Sequence, residues 1–385
     1  MAFTSTHTAS APVAAQARPA ARPRASAQQV LRAPLLVRGP APAPARHSVL
    51  ARSGPADEID PTTGEIIPGS GLAREPVAST TIKVGKYKWA VRRSSPDEGA
   101  KKQKEAVLLL HGIGSSSYSY REVAPLLAKE GFETLAVDWI GHGGSDKPSP
   151  DEFDYTQESY VRALDAFIEE AGLGQPLVLV VNGFVLGNYA LDWAQRNQDK
   201  FDKLIMLNTP LSPRKSKLPP TLAAYKSPIP FLRPAAGSPF PGDLWNADGL
   251  AYVMERKVAD AYLAPYEGDA GAAASEAVRA TMEAHDFKTC LQDLDYAYES
   301  FKKDSLLLFG GKDRNVNLTE AVDWLDSKRT NMQLMTLEER LGHMPQEDYA
   351  EPVAEAMAKW IRGEKFQLSL GKKASKRPEG VGAEK

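Results

Sequence analysis

Cysteine is almost missing from this chain. Cys290 is the only one in 385 residues. A single thiol excludes an internal disulfide and a thiolate-rich metal site, and it reads as a small apolar filler. Acidic residues and lysine are absent from Met1 to Ala56, a stretch that carries seven arginines between Arg18 and Arg52. With those seven set aside, the formal net charge of -2 becomes -9 for the remainder. So acidic a body lacks the concentrated Lys and Arg of a nucleic-acid surface. No apolar run approaches the length that spans a membrane, and no repeat occurs at solenoid periods. What is present is ordinary globular composition, 42% hydrophobic and 25% charged, enough for one large domain or two smaller ones.

The acid-free opening, residues 1–51, is rich in Ala, Arg, Ser and Pro, the composition of an organelle transit peptide. No uninterrupted apolar stretch follows its charges, so it is not a secretory signal. The bias resembles plastid transit peptides of green algae and implies a chloroplast address. A mitochondrial address and a tail without any address are the alternatives. Val49-Leu50-Ala51 is the expected processing point. Residues 52–79 read as a linker, punctuated by Gly and Pro from Asp57 to Pro76. At the other end, residues 366–385 are Lys-rich and read as a solvated, disordered tail.

Between these ends, strand and helix signals alternate. Thr81 to Val84 and Tyr87 to Arg93 read as a hairpin about Gly85-Lys86. Ala106–Leu110, Thr134–Val137, Leu177–Val181, Leu204–Leu207 and Ser305–Phe309 are short apolar runs, as expected of strands covered on both faces. A helix is expected from about Tyr120 to Gly131. Another starts behind an N-cap at Thr156 and stops at Gly172. The rhythm breaks after Asn208. The Pro-rich stretch to Pro241 and helical patterns over Leu244–Leu263 and Ala270–Phe301 read as a helical cap, residues 210–303. A strand over Met332–Leu337 and an amphipathic helix with Val353, Met357, Trp360 and Ile361 complete the core. The expected fold is α/β: a mostly parallel, doubly covered sheet from residues 80–209 and 304–365 with an inserted helical cap.

The stretch from Val180 to Tyr189 organises the functional reading. It runs strand, tight turn bounded by Gly183 and Gly187, then helix. That is the arrangement of the G-x-S-x-G elbow, whose central side chain stands exposed at the tip of a strained turn. Here the central residue is Val185. His111-Gly112 after one strand, Gly141-His142-Gly143-Gly144-Ser145 after the next, this elbow, Gly311-Lys312-Asp313 and Gly342-His343 follow one another in order. On these motifs the chain resembles the α/β-hydrolases, in the branch of haloalkane dehalogenases and epoxide hydrolases, over residues 80–363. The resemblance implies that Asp313 is the triad acid and His343 the general base, with the order nucleophile, acid, histidine. It also implies an oxyanion hole from the amides of Leu186 and Ile113, beside Gly112 and Phe184. His111 and His142 are expected to bond backbone in their loops. Ser115, Ser116 and Ser117 are expected to start the following helix.

The departure is Val185. Valine has no lone pair and no proton to lose, so it forms no acyl-enzyme. The branch's aspartate is also missing, so its chemistry does not follow from the fold. No metal site and no cofactor motif are visible. Gly112-Ile113-Gly114 lacks the third glycine of a dinucleotide loop, Ser117 standing there. Three functions remain. The first is a non-hydrolytic binding, scaffold or regulatory protein with a small hydrophobic ligand. The second is an enzyme using the His343–Asp313 dyad without a covalent step. The third is a hydrolase whose nucleophile is displaced to Ser115, Ser116 or Ser117. Phe231, Trp245, Tyr252 and Tyr262 are cap aromatics that either face the ligand or form cap core. The sequence names no protein partner.

Overall fold

A computed structural model describes residues 58–59, 66–67, 79–234, 256–316, 318–325, 329–337 and 341–364. The transit-peptide and tail assignments, the 49–51 processing point, Trp245 and Tyr252 lie outside these residues. The chain divides into two units, Met1–Gly71 and Leu72–Lys385. In the first, within the expected linker, Glu58–Ile59 pairs antiparallel with Ile66–Ile67.

The second unit is built on an eight-stranded sheet among the described residues. Its strands are β1 (Thr80–Val84), β2 (Tyr87–Ser94), β3 (Ala106–Leu110), β4 (Glu133–Val137), β5 (Leu177–Asn182), β6 (Lys203–Leu207), β7 (Asp304–Phe309) and β8 (Met332–Thr336). Their spatial order is β8-β7-β6-β5-β3-β4-β2-β1. β1 and β2 form the expected hairpin, with Gly85 at φ 56°, and β2 joins β4 antiparallel. The other pairings are parallel.

Side-chain alternation along the strands sorts the core into two layers. Leu108, Leu110, Val181, Met206 and Leu307 face one side, with helices α2 (Gln157–Glu170) and α3 (Leu186–Arg196). Val107, Leu109, Val180, Ile205 and Leu308 face the other, with α1 (Val123–Lys129) and the last helix, Ala350–Ile361. Each fully buried aliphatic side chain contributes about 1.5–3 kcal/mol. The central strands are therefore apolar throughout because both of their faces are covered.

Local signals explain the helix boundaries. The Thr156 hydroxyl accepts the Ser159 amide at 3.3 Å to start α2. The helix expected from Tyr120 begins instead as a 3-10 turn, Ser117–Tyr120, capped by Ser116, and continues as α1. The chain between β6 and β7 forms α4 (Arg256–Leu263), α5 (Gly268–Ala284) and α6 (Phe287–Ala297) among the described residues. The long helical pattern from Ala270 breaks at Asp286, whose carboxylate accepts the Thr289 amide and starts α6 afresh. α5 lies over the carboxyl ends of the strands: Ala277 crowds Gly141, just beyond β4, and the Thr281 hydroxyl bonds that of Tyr160 at 3.0 Å. α6 sends Cys290, Leu291 and Leu294 into the layer on the α3 side of the sheet. The helix α7 (Leu318–Trp324) and the helical turn Pro345–Asp348 have no counterpart in the sequence reading.

Candidate active site

The elbow is present as a strained turn. Val185 has φ 62° and ψ -74°, and its side chain is fully buried. A β-branched residue at positive φ costs about 1–3 kcal/mol and persists only where its surroundings dictate it. Here they do. The Val185 amide donates to Asn188 Oδ1 at 3.1 Å, and its carbonyl accepts the Tyr189 amide at 2.9 Å. Asn188 Nδ2 in turn donates to the Pro210 carbonyl at 2.8 Å, tying the turn to the chain beyond β6. Valine has no atom with which to return the Asn188 bond. The loop after β3 presses against the turn from the other side. A Cβ on Gly112 would lie 2.9 Å from Gly183 Cα and 3.0 Å from the Phe184 amide nitrogen, so only glycine fits there.

The acid–base pair assembles opposite this turn. His343 Nδ1 lies 2.8 Å from Asp313 Oδ2, and both side chains are buried. Asn208 Nδ2 donates to the same oxygen at 3.0 Å, and the amides of Asn315 and Val316 donate to Oδ1 at 2.8 and 3.0 Å. With four donors on it, the carboxylate is held in one orientation. It fixes the proton of His343 on Nδ1 and leaves the Nε2 lone pair open. Nε2 faces the elbow, 3.5 Å from where a Cβ on Gly183 would sit, and the imidazole lies 4.9 Å from the Phe184 ring.

The histidine loop is fastened to the elbow strand. Asn182, the last residue of β5, donates from Nδ2 to the carbonyls of Leu207 (2.8 Å) and His343 (3.2 Å). Its Oδ1 accepts from Gln346 Nε2 at 3.1 Å. Arg121 then forks onto both oxygens of Glu347 at 2.7 Å, and Tyr262 donates to Glu347 Oε2 at 2.9 Å. Those bonds join the turn after β3, the His343 loop and α4.

Two sequence expectations change on this geometry. The Ile113 amide, expected in an oxyanion hole, donates to the Phe184 carbonyl at 3.0 Å and is occupied. The Leu186 amide is the first of α3 and has no acceptor within its own helix. Phe231 does not face the site but is 85% exposed, whereas Tyr262 is buried. The serine cluster is structural in part: the Ser116 hydroxyl accepts the Tyr118 amide, and the Ser117 amide donates to Asp138 Oδ1. Among the described residues, none of the three serine hydroxyls bonds His343.

His111 and His142 bond backbone, as expected. His111 Nε2 accepts the Trp139 amide at 3.3 Å, so Nδ1 carries the proton and donates to the Gly112 carbonyl at 2.7 Å. Burial lowers its pKa to about 4, against the raising effect of that carbonyl. His142 Nδ1 lies 3.3 Å from the Ile140 carbonyl. Burial, then proximity to His111, lowers its pKa to about 3. Both are neutral at pH 7.

Sequence reasoning missed Asn182, Asn208 and His285. The first two carry a legible signal, a polar residue closing an apolar strand. His285 carries none; its place beside Tyr189 arises only when α5 folds over the elbow helix.

The model of the alpha/beta hydrolase fold family matches residues 105–349. The chain belongs to the α/β-hydrolase fold family. Within it, the chain is 31% identical over 174 residues to a cis-3-alkyl-4-alkyloxetan-2-one decarboxylase of Xanthomonas campestris, covering 42% of this chain and 56% of that one. It is 29% identical over 168 residues to a haloalkane dehalogenase of Mycobacterium marinum, 38% of this chain and 55% of that one. It is 32% identical over 126 residues to bifunctional epoxide hydrolase 2 of Sus scrofa, 32% of this chain and 22% of that one. The chain thus spans little more than half the length of these relatives at most. Among solved structures, the haloalkane dehalogenase of Paraglaciecola agarilytica is 25% identical with a TM-score of 0.58, covering 74% of this chain and 94% of that one. A putative lipase of Acinetobacter baumannii, at 17% identity, has a TM-score of 0.61 over 75% of this chain and 92% of that one, a likeness of fold alone. Haloalkane dehalogenases and epoxide hydrolases thus stand among the proteins this chain is similar to, beside oxetanone decarboxylases.

A groove of about 570 Å³ opens elsewhere, beside Lys203, Asp304, Asn331 and Trp360. Lys203, Asp304 and Asn331 begin or precede β6, β7 and β8, so it lies at the amino ends of the strands, beside Trp360 of the last helix. Ligands of open α/β sheets bind at the carboxyl ends, and the groove touches none of the site residues.

Proposed function

We propose that this protein binds a small apolar molecule beneath the insert between β6 and β7, without forming a covalent intermediate on it. The observation that carries this reading is Val185, fully buried in strained backbone where a hydrolase of this fold holds its nucleophile. The Ile113 amide supports it, since bonding to Phe184 removes one of two oxyanion donors, a loss worth about 10²–10³ in rate where such donors act. The relatives' names, of enzymes for alkyl-substituted oxetanones, epoxides and haloalkanes, accord with a compact apolar ligand.

One observation favours a second reading. The Asp313 carboxylate is completely hydrogen-bonded and holds His343 with its open nitrogen toward the elbow. Such a pair can take a proton from water or from a ligand hydroxyl, a contribution of about 10²–10⁴-fold. A lyase or a hydrolase without a covalent step would use it so.

The test is p-nitrophenyl ester turnover by the full chain, by Val185→Ser and by Val185→Ser/His343→Ala. The expected result is an inert natural protein, slow turnover in Val185→Ser and none in the double variant. Turnover by the natural protein that His343→Ala abolishes would replace binding with catalysis. The chloroplast address belongs to the same proposal. Residues 1–51 fused to a fluorescent protein are expected to enter plastids, and mitochondrial or diffuse fluorescence would remove that part.

A further inference from the structure

A second histidine stands on the insert side of the elbow. His285 ends α5, is 2% exposed, and receives Tyr189 through its Nδ1 at 2.9 Å. Tyr189 lies in the first turn of the elbow helix, its amide bonded to the Val185 carbonyl. The Tyr189 hydroxyl is itself buried, and His285 is its hydrogen-bond partner among the described residues. A buried hydroxyl keeps its proton in a bond, so Tyr189 donates and Nδ1 accepts. The neutral imidazole then carries its hydrogen on Nε2.

That Nε2 is buried and, among the described residues, has no hydrogen-bond partner. A buried N–H without an acceptor is among the costlier omissions in a fold, and it asks for one. The described groups around it do not supply it. Its ring meets Phe287 at 5.9 Å and Tyr189 at 5.3 Å. Lys226 and Asp286 are the nearby charges, Lys226 donating its own ammonium to the Glu283 carbonyl. Burial, then Lys226, lowers the pKa of His285 to about 4, so the ring is neutral at pH 7.

Aromatic rings connect this imidazole to the dyad. Phe287 lies 6.2 Å from Phe184, and Phe184 lies 4.9 Å from His343. At one end of that apolar run His343 offers a lone pair, and at the other His285 offers an N–H. Resting on the apolar-ligand reading of this site, we infer that His285 Nε2–H anchors the ligand through an acceptor oxygen of ketone, ester, lactone or ether type. The ligand class is then an apolar skeleton with at least one such oxygen rather than a plain hydrocarbon.

Two measurements on the full chain test this. In ¹⁵N-histidine NMR of the free protein, His285 is expected as the Nε2–H tautomer, and the Nδ1–H tautomer would overturn the inference. Calorimetric titration then compares 2-nonanone with nonane, on the natural protein and on His285→Phe. 2-Nonanone is expected to bind about tenfold more weakly to the variant, the loss of one buried hydrogen bond, while nonane binds both alike. Equal 2-nonanone affinity for both proteins sinks the His285 anchor and leaves the apolar-ligand reading standing. Absence of binding by both probes sinks the two together. Should His285→Phe fail to fold, Tyr189→Phe serves in its place, since it frees Nδ1 to take the proton and is expected to weaken 2-nonanone in the same direction.

Discussion

The two halves of this site are built on opposite terms. The carboxylate half is polar and complete: Asp313 accepts four hydrogen bonds and its histidine has an anion beside it. The elbow half is apolar and strained, and among the described residues its histidines, His111, His142 and His285, make no hydrogen bond to a carboxylate. His343 thus turns an open nitrogen toward a strained turn whose central side chain is a fully buried valine. Hydrogen bonds to one carboxylate fix the first half, whereas close packing and the Asn188 bonds hold the second in strain, so the two should fail differently.

Acid is the strongest way to separate them. In the unfolded chain the three elbow-side histidines take up protons below about pH 6.5. In the folded chain they do so only near pH 4 for His111 and His285, and near 3 for His142. The unfolded state therefore binds more protons in between, and stability present above pH 6.5 is lost as pH falls. The slope is about 1.4 kcal/mol per pH unit for each histidine. Urea unfolding at pH 7, 6 and 5 should show it, with a shallower slope in His142→Phe. Flat stability across that range would mean that the elbow half admits protons freely.

The next largest effect falls on the other half. Asp313→Ala strands Asn208, the Asn315 and Val316 amides and His343 Nδ1, where each buried unmet donor costs about 1–3 kcal/mol. A loss of about 4 kcal/mol is expected in denaturant midpoints, with partial relaxation of the loop keeping it below the sum. A loss under about 1 kcal/mol would show that the network is dispensable.

The smallest effect isolates the elbow strain. Val185→Gly and Val181→Gly remove the same fully buried side chain, one from the turn and one from β5. Glycine tolerates φ 62° without strain. Val185→Gly should therefore destabilise less than Val181→Gly, by about 1–3 kcal/mol. Equal losses would mean that the turn stores none.

The strands were legible because a doubly covered sheet demands continuous apolar runs, and Ala106–Leu110 and Leu177–Val181 have no other use. The elbow was legible through Gly183 and Gly187, and the dyad through the order in which Asp313 and His343 follow it. The Ile113 amide was misassigned because hydrogen-bond commitments of the backbone depend on how closely two loops approach, and Gly112 brings them closer than its pattern announces. α7 and the Pro345 turn were missed because each is short and held by packing rather than by its own periodicity.

By itself the sequence determined the fold and that the elbow position carries no nucleophilic side chain. Apolar periodicity dictates which segments can be buried, and a valine has no electrons to donate wherever it stands. Only the tertiary structure decided which nitrogens are open. The Asp313 carboxylate turns His343 Nε2 into an acceptor, and the Tyr189 hydroxyl turns His285 Nε2 into a donor. Those partners lie 30 and 96 residues away in the chain, and the proton's position is set by the neighbour that folding supplies.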